Sequence, residues 1–504
     1  MASIVIIGGG VSGLSAGIYS SALGHRVTLL EAGATVGGNL TGWQREGYKI
    51  DNCIHWLTGT NENSDTYKIW DDLFGISDME IVKCDTLYTY SEDGVALSLY
   101  RDLEKTEAEL LKISPEDKKE ILDLTKAVSA MRYIADTDGK DKAASLKEKA
   151  LAVKRLAKYS TLTVGDMARR FKSRYIRGFL CSFITEHFAA LALITVFSHF
   201  AFGNADIPKG GSLEVSERMR ERFIASGGKI RVNSEVKRIN VECGIASSVT
   251  LLSGEVIEAD YIVVTADPKT VYGRLLSEKM PTKLSKRYEN STLMRFSSFQ
   301  CAFAAECERL PFSGDFCFRL PRRDRLRLGV EYITLREFSH ERNFTPDGKS
   351  LIQTILFLGE DASLEFIRLR VENYDAYLKK KSRLSKIVEG AIIDKFPALK
   401  SKIRLLDAWT PATYKRYIRS EIGSYMSFAF GKGFIPTTLN IGSRLAKNII
   451  FATQWQTPPG GLPIAAMRGK AAAEKIAKLE AKLSAGIFRE KRYGRRYRSV
   501  GQGL

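Results

Sequence analysis

Apolar and polar positions change period several times along the chain, and each change marks an element. Ser3-Ile-Val-Ile-Ile7 is a short continuous apolar run, the pattern of a strand buried on both faces, and it leads straight into glycines. A helix over Gly13–Leu23 and a second strand over Arg26–Leu30 complete one βαβ unit. From Leu103 to Arg174 the pattern is charged and helical, with Ser114 placed as a cap and Pro115 at the first helical position. The helical pattern runs on through Phe188–Phe202 (FAALALITVFSHFAF). That stretch is shorter than the ~20 residues of a membrane span and contains His199, so it reads as a buried or membrane-surface helix.

Pro208-Lys-Gly-Gly211 interrupts the helices. After it come a helix over Leu213–Ser226, a turn at Gly227-Gly228 and strands over Lys229–Asn233 and Tyr261–Thr265. Period-2 segments at Phe299–Ala305, Leu328–Leu335 and Leu351–Leu358 predict antiparallel strands. A long helix over Leu364–Lys395, a strand over Ile403–Ala408 and a last αβ element, Ile449–Ala452 with Leu462–Leu483, complete the chain. There is no internal repeat. This order predicts an α/β fold of two interwoven domains: a discontinuous nucleotide-binding domain from residues 1–74, 203–279 and 441–485, and an α+β substrate domain from 75–202 and 280–440. A basic tail, 486–504, ends the chain.

Composition adds three points. At 504 residues with 44% hydrophobic content, the chain is long enough for two or three structural units with a large core. Its formal charge of +18 is unevenly placed, with basic clusters at Pro321–Arg327 and Arg489–Arg498. Such runs suit a solvated face or an anionic membrane surface, and with no nucleic-acid module beside them no nucleic-acid partner is expected. The seven cysteines are scattered, with no C-x-x-C pair and no histidine at ligand spacing, which points to reduced thiols, a cytoplasmic setting and no metal. The first strand begins so early that no targeting peptide is expected before it.

The first unit carries the chemistry. Gly8-Gly-Gly10-Val-Ser-Gly13 matches G-x-G-x-x-G between a strand and a helix, with Glu31 eighteen residues beyond the last glycine. Gly8 permits the tight turn, Gly10 lets backbone N–H groups approach a pyrophosphate, and Gly13 lets the helix pack on the strand, while Glu31 can accept from ribose hydroxyls. The fingerprint alone does not choose between NAD and FAD.

The residues beyond Glu31 do choose. Gly37-Gly38 lies six residues on, and Glu31–Gly38 together with the first unit resembles the flavoproteins related to phytoene desaturase, carotenoid isomerase and retinol saturase, which share the monoamine-oxidase architecture. The resemblance extends over the whole chain. Gly47–Trp56 is similar to the segment that passes the flavin ring, Pro208–Gly211 with Asn233–Val236 to the block whose valine backbone meets the adenine, and Thr410–Gly423 to the return into the active site. Gln454–Pro463 resembles the C-terminal flavin motif, a rigid turn at a helix N-terminus. The resemblance implies FAD as cofactor, held by Gly8, Gly10, Gly13, Glu31, Gly37, Gly38, Asn39, Val236, Gly460, Gly461 and Leu462. In that family an Arg commonly stands where this chain has Asn39.

It also implies hydride exchange between flavin and a long apolar, polyene or isoprenoid-like substrate, by desaturation, saturation or isomerisation, with the electron acceptor left open. Two other readings share the architecture: an amine-oxidase-like enzyme, and a non-enzymatic prenyl-lipid carrier of the GDP-dissociation-inhibitor type, which would not need an intact fingerprint. His55 is the candidate acid or base, although a structural hydrogen bond is the other reading of the same residue. Glu186, His187 and His199 are expected to border a substrate tunnel, with Trp56, Tyr425 and Phe430 lining a cavity. Peripheral docking on an anionic membrane is expected through the apolar stretch Phe179–Phe202 and the basic tail.

Overall fold

The computed structural model describes residues 1–135, 145–290, 293–430, 438–439 and 441–484. Its first layer is a five-stranded parallel sheet in the order Lys229–Arg231, Arg26–Leu30, Ser3–Ile7, Tyr261–Val264, Ile449–Phe451. Three separated stretches of the chain thus meet in one sheet. Alternation decides what covers each face. Ile4 and Ile6 point toward the helices Val11–Ala22, Gly211–Ala225 and Leu462–Ser484, where Leu14, Phe223 and Ile476 are buried with them. Val5 and Ile7 point the other way, onto a three-stranded meander whose Val236, Ile239 and Val249 close that face.

The second layer is a seven-stranded mixed sheet in the order Ile403–Trp409, Phe296–Ala305, Ser350–Gly359, Tyr332–Glu337, Asp315–Arg319, Thr86–Glu92, Val95–Tyr100. Among the described residues, its one parallel pair joins Asp315–Arg319 to Thr86–Glu92. Helices Glu360–Glu372 and Tyr374–Lys395 cover one part of the sheet through Phe366, Tyr377 and Val388. Helices Lys118–Met131, Arg174–Phe183 and Ala190–Ala201 pack on Tyr88, Leu97 and Leu99 at its other end.

Four sequence expectations change. The helix expected over Leu364–Lys395 is two, broken at Asn373, whose extended backbone and side chain, accepting from the Ala376 N–H at 3.0 Å, start a new helix. The strand expected from Leu328 begins at Tyr332, because Arg322–Leu328 forms a short helix that Gly329 ends in the left-handed region. Within the Pro321–Arg327 basic run, Arg325 and Arg323 are paired with Glu331 and Asp394, so part of that charge is neutralised locally. The phenylalanines of the stretch Phe179–Phe202 expected to meet a membrane are core: Phe179, Phe197 and Phe200 are 0%, 2% and 1% exposed and cannot contact lipid. The tail 486–504 lies outside the described residues.

Candidate active site

The Rossmann turn divides its glycines by task. Gly8 has a φ of 103°, which an L side chain rarely adopts, and a Cβ on Gly13 would stand 2.0 Å from the Gly8 carbonyl oxygen. A Cβ on Gly10 would meet nothing within 4 Å. Gly10 therefore borders open space, beside the first turn of the helix Val11–Ala22, whose leading N–H groups have no intrahelical acceptor. Glu31 is bound by the turn itself: its Oε2 accepts from the Gly9 N–H and its Oε1 from the Gly33 N–H, both at 2.7 Å. Each oxygen keeps a second lone pair for a ribose hydroxyl. Gly9 is a position the fingerprint leaves open, yet a Cβ there would stand 2.9 Å from Val36.

Gly37 joins this turn by a parallel bridge to Gly10, donating to the Gly9 carbonyl at 2.8 Å. A Cβ on Gly38 would approach Gly10 Cα to 3.2 Å. Asn39 donates through Nδ2 to the Tyr425 carbonyl at 3.2 Å and accepts at its own carbonyl from Asn52, so it links two loops of the site. Val236 opens the meander strand and is buried against the sheet. At the opposite end, Gly460 and Gly461 have φ of 83° and 96°, and the Gly461 N–H donates to Gln454 Oε1 at 2.9 Å. Leu462 starts the last helix. That helix packs against the first through Ser12 Oγ to the Ala465 carbonyl and Ser15 Oγ to the Ala466 carbonyl, so two helix N-termini, the positive ends of their dipoles, face one cleft.

Every residue expected to hold the dinucleotide, Gly13 excepted, lines a single cavity of about 1080 Å³. It continues between the two layers into an arm bordered by Met131, Ile134, Phe183, Ile184, Leu191, Val196, Phe296 and Phe357. Asn52, Gln300, Tyr414 and Tyr425 border the same cavity. Tyr414 accepts from Gln300 Nε2 at 2.7 Å and donates to Asn52 Oδ1 at 3.0 Å. Burial pushes the phenols of Tyr414 and Tyr425 above their ordinary value, which keeps both protonated at neutral pH. The sequence gives no periodic signal for Asn52, Gln300 or Tyr414, because a bend, a strand and a helix distant in the chain bring them together.

His55 lines the cavity, and its Nδ1 lies 3.3 Å from Asp315 Oδ2. Asp51 fixes the loop that carries it. The buried Asp51 carboxylate accepts from the N–H groups of Cys53 and Ile54 and from both the backbone and hydroxyl of Ser212, while Gln353 pairs with its backbone. Gly211 must be glycine here, since a Cβ would stand 2.2 Å from Asp51 Oδ2. Trp56, Tyr425 and His199 also line the cavity. Glu186 and His187 do not: both side chains are at the surface, 50% and 61% exposed, because the chain turns outward before the helix Ala190–Ala201. The side chain of Phe430 lies outside the described residues.

This cleft fits a dinucleotide with an aromatic, hydrogen-bonding end. Open space lies over Gly10 for a pyrophosphate, and Tyr425 Oη and Ser424 Oγ, both on the cavity wall, are buried without a partner among the described residues. Fold and cleft together define a flavin-dependent oxidoreductase of the monoamine-oxidase architecture. The chain belongs to the flavin-containing amine oxidoreductase family, which matches residues 11–477, and its cofactor is FAD. It is 23% identical over 462 residues to the chloroplastic prolycopene isomerase of Arabidopsis thaliana, covering 86% of this chain and 76% of that one. It is 25% identical over 299 residues, 54% of each chain, to the neurosporene-forming phytoene desaturase of Cereibacter sphaeroides. The solved cyclohexylamine oxidase of Brevibacterium oxydans shares its fold, with a TM-score of 0.57 at 15% identity over 95% of this chain and 99% of that one.

Proposed function

We propose that this enzyme exchanges hydride between FAD and a carbon of a long apolar, polyene or isoprenoid-like substrate. The observation that carries this reading is the apolar arm, whose aliphatic and aromatic walls can bury a hydrocarbon chain but offer little to solvate an ammonium group. The names of the relatives, prolycopene isomerase and phytoene desaturase, agree with it. FAD supplies the hydride chemistry when bound. The pyrophosphate is assigned to the N–H groups beside Gly10, the ribose to Glu31, the adenine side to Val236, and the flavin side to Gly460–Leu462 and the Asn39–Tyr425 contact.

The protein's own part is to orient the chain, exclude water and move a proton. His55 is the group placed for the last task, since it faces the cavity and its far side is oriented by Asp315. The deciding experiment is anaerobic mixing of the oxidised and the photoreduced holoenzyme with a panel of polyenes and of primary amines. A change of flavin redox state, or isomerisation of a polyene, is the expected result. Reduction by amines alone would make this an amine oxidase.

The substrate reading has a spatial corollary. No helix among the described residues is long and apolar enough to cross a membrane. The helix Leu146–Ala157, however, leaves Leu146, Ala150, Val153 and Ala157 exposed at spacings of 4, 3 and 4 residues, one continuous stripe flanked by Lys147, Lys154 and Lys158. It packs on the helix Lys118–Met131, whose end, with the half-exposed Ile134, borders the cavity, as does Ser160 just beyond it. This basic amphipathic helix is the membrane-docking element we propose, in place of the buried stretch Phe179–Phe202. It would seat the mouth of the arm on an anionic bilayer.

A further inference from the structure

A second chamber, of about 300 Å³, lies on the far side of His55. His55, Trp56 and Asp315 border both it and the main cavity, so it adjoins the arm at the proposed reaction centre. It is more polar than the arm, with Asp85, Arg336, Glu337, Ser339 and His340 on its wall beside Leu87, Phe200 and Ile207. Arg336 sits on the strand Tyr332–Glu337 and is only 3% exposed. Its nearest carboxylate oxygen is on Asp315, 4.0 Å from Nε, and its guanidinium lies over the Phe338 ring at 4.5 Å. Nη1 is buried with no acceptor among the described residues, and so is Nε2 of His340.

An unpaired buried donor is costly, and more so when it is charged, so a native site retains one where something else completes it. We propose that this chamber receives a neutral oxygen function, a hydroxyl or carbonyl, at one end of the otherwise apolar substrate, with the Arg336 guanidinium, short of an acceptor at Nη1, as its donor. The inference rests on the reading of the arm as an isoprenoid site.

Charge decides for a neutral group over a carboxylate. Three acids line the chamber with its one guanidinium: Asp85, Asp315, turned to His55, and Glu337, which already accepts from the Gly314 and Ser339 N–H groups and the Ser339 hydroxyl. A further carboxylate would be repelled, whereas a hydroxyl or carbonyl oxygen accepts from the guanidinium at no such cost. Burial, with the Arg336 charge beside it, lowers the proton affinity of His340 and leaves it a neutral hydrogen-bonding partner. A hydrocarbon end would leave Nη1 unpaired. That asymmetry is how buried polar groups discriminate between substrates with and without an oxygen.

Four probes of equal chain length test this: farnesene, farnesol, farnesal and farnesoic acid, each titrated into the oxidised holoenzyme while the flavin spectrum is followed. Farnesol and farnesal should bind at least about tenfold more tightly than farnesene, and farnesoic acid more weakly than farnesol. Arg336→Met should bring farnesol to within about twofold of farnesene. His340→Phe, a change that keeps the stacking on Phe338, should reduce the preference in the same direction and serves if the arginine variant does not retain FAD. Equal binding of farnesene and farnesol by the parent overturns the proposal, as does tightest binding of the acid or a preference that survives in the Arg336 variant. If none of the four perturbs the flavin of an FAD-loaded protein, the isoprenoid reading itself fails, and this inference falls with it.

Discussion

The hydroxyl of Ser12 donates to the carbonyl of Ala465 over 2.9 Å, joining the first helix of the chain to the last across 453 positions. Both helices begin at the cleft, so this contact fixes the distance between the end we assign to the pyrophosphate and the end we assign to the flavin. Gly469 makes the approach possible, since a Cβ there would stand 2.5 Å from the Ser12 carbonyl oxygen and from Ser15 Cβ. Gly469→Val should push the helices apart, lower stability by about 1–3 kcal/mol or more, and weaken FAD retention. Urea denaturation and flavin content of the purified variant measure both effects. A variant with parental stability would show that the helices separate at no cost.

Gly10 and Gly13 should fail in different ways. A Cβ on Gly10 meets no protein atom within 4 Å, so Gly10→Val should fold normally and purify without FAD. Gly13→Ala places its Cβ 2.0 Å from the Gly8 carbonyl and should instead lower the unfolding midpoint, even with FAD in excess. Circular dichroism of the two apoproteins separates these outcomes. A colourless Gly10→Val that is also unfolded would contradict the assignment of open space to that position.

His55→Ala should lower turnover by about 10²-fold or more with FAD occupancy unchanged, if His55 transfers a proton in the rate-limiting step. Asp315→Asn should lower it by a smaller factor and alter the pH profile, because the amide no longer fixes the imidazole tautomer through the 3.3 Å contact. Parental turnover in His55→Ala would assign that residue to structure alone.

Leu146→Asp with Val153→Asp should abolish sedimentation with vesicles containing anionic lipid at low salt. The variant should retain FAD, because both side chains are exposed, 88% and 57%. Deleting residues 486–504 should weaken binding in a salt-dependent way, since each basic residue near an anionic surface contributes about 1 kcal/mol. Recovery of the parent in the supernatant at low salt would exclude both elements as docking surfaces.

Part of this architecture was legible in the residues themselves. Local rules fix the turn at Gly8–Gly13, the buried strand Ser3–Ile7 and the helix start at Leu462, because glycine conformation, apolar runs and helix dipoles act over a few residues. Other signals were local but unread, such as Asp93-Gly94 with φ of 48° and 79°, a hairpin turn joining Thr86–Glu92 to Val95–Tyr100. The break at Asn373 is of the same kind. Only the tertiary structure decided the rest. Asp315 meets His55 from 260 positions away, and Arg336 Nη1 is buried without an acceptor among the described residues only because a mixed sheet brings those strands together. Phe179 and Phe197 are core and not membrane contacts for the same reason. An apolar helical face looks alike in sequence whether protein or lipid covers it, and the covering is supplied by strands distant in the chain.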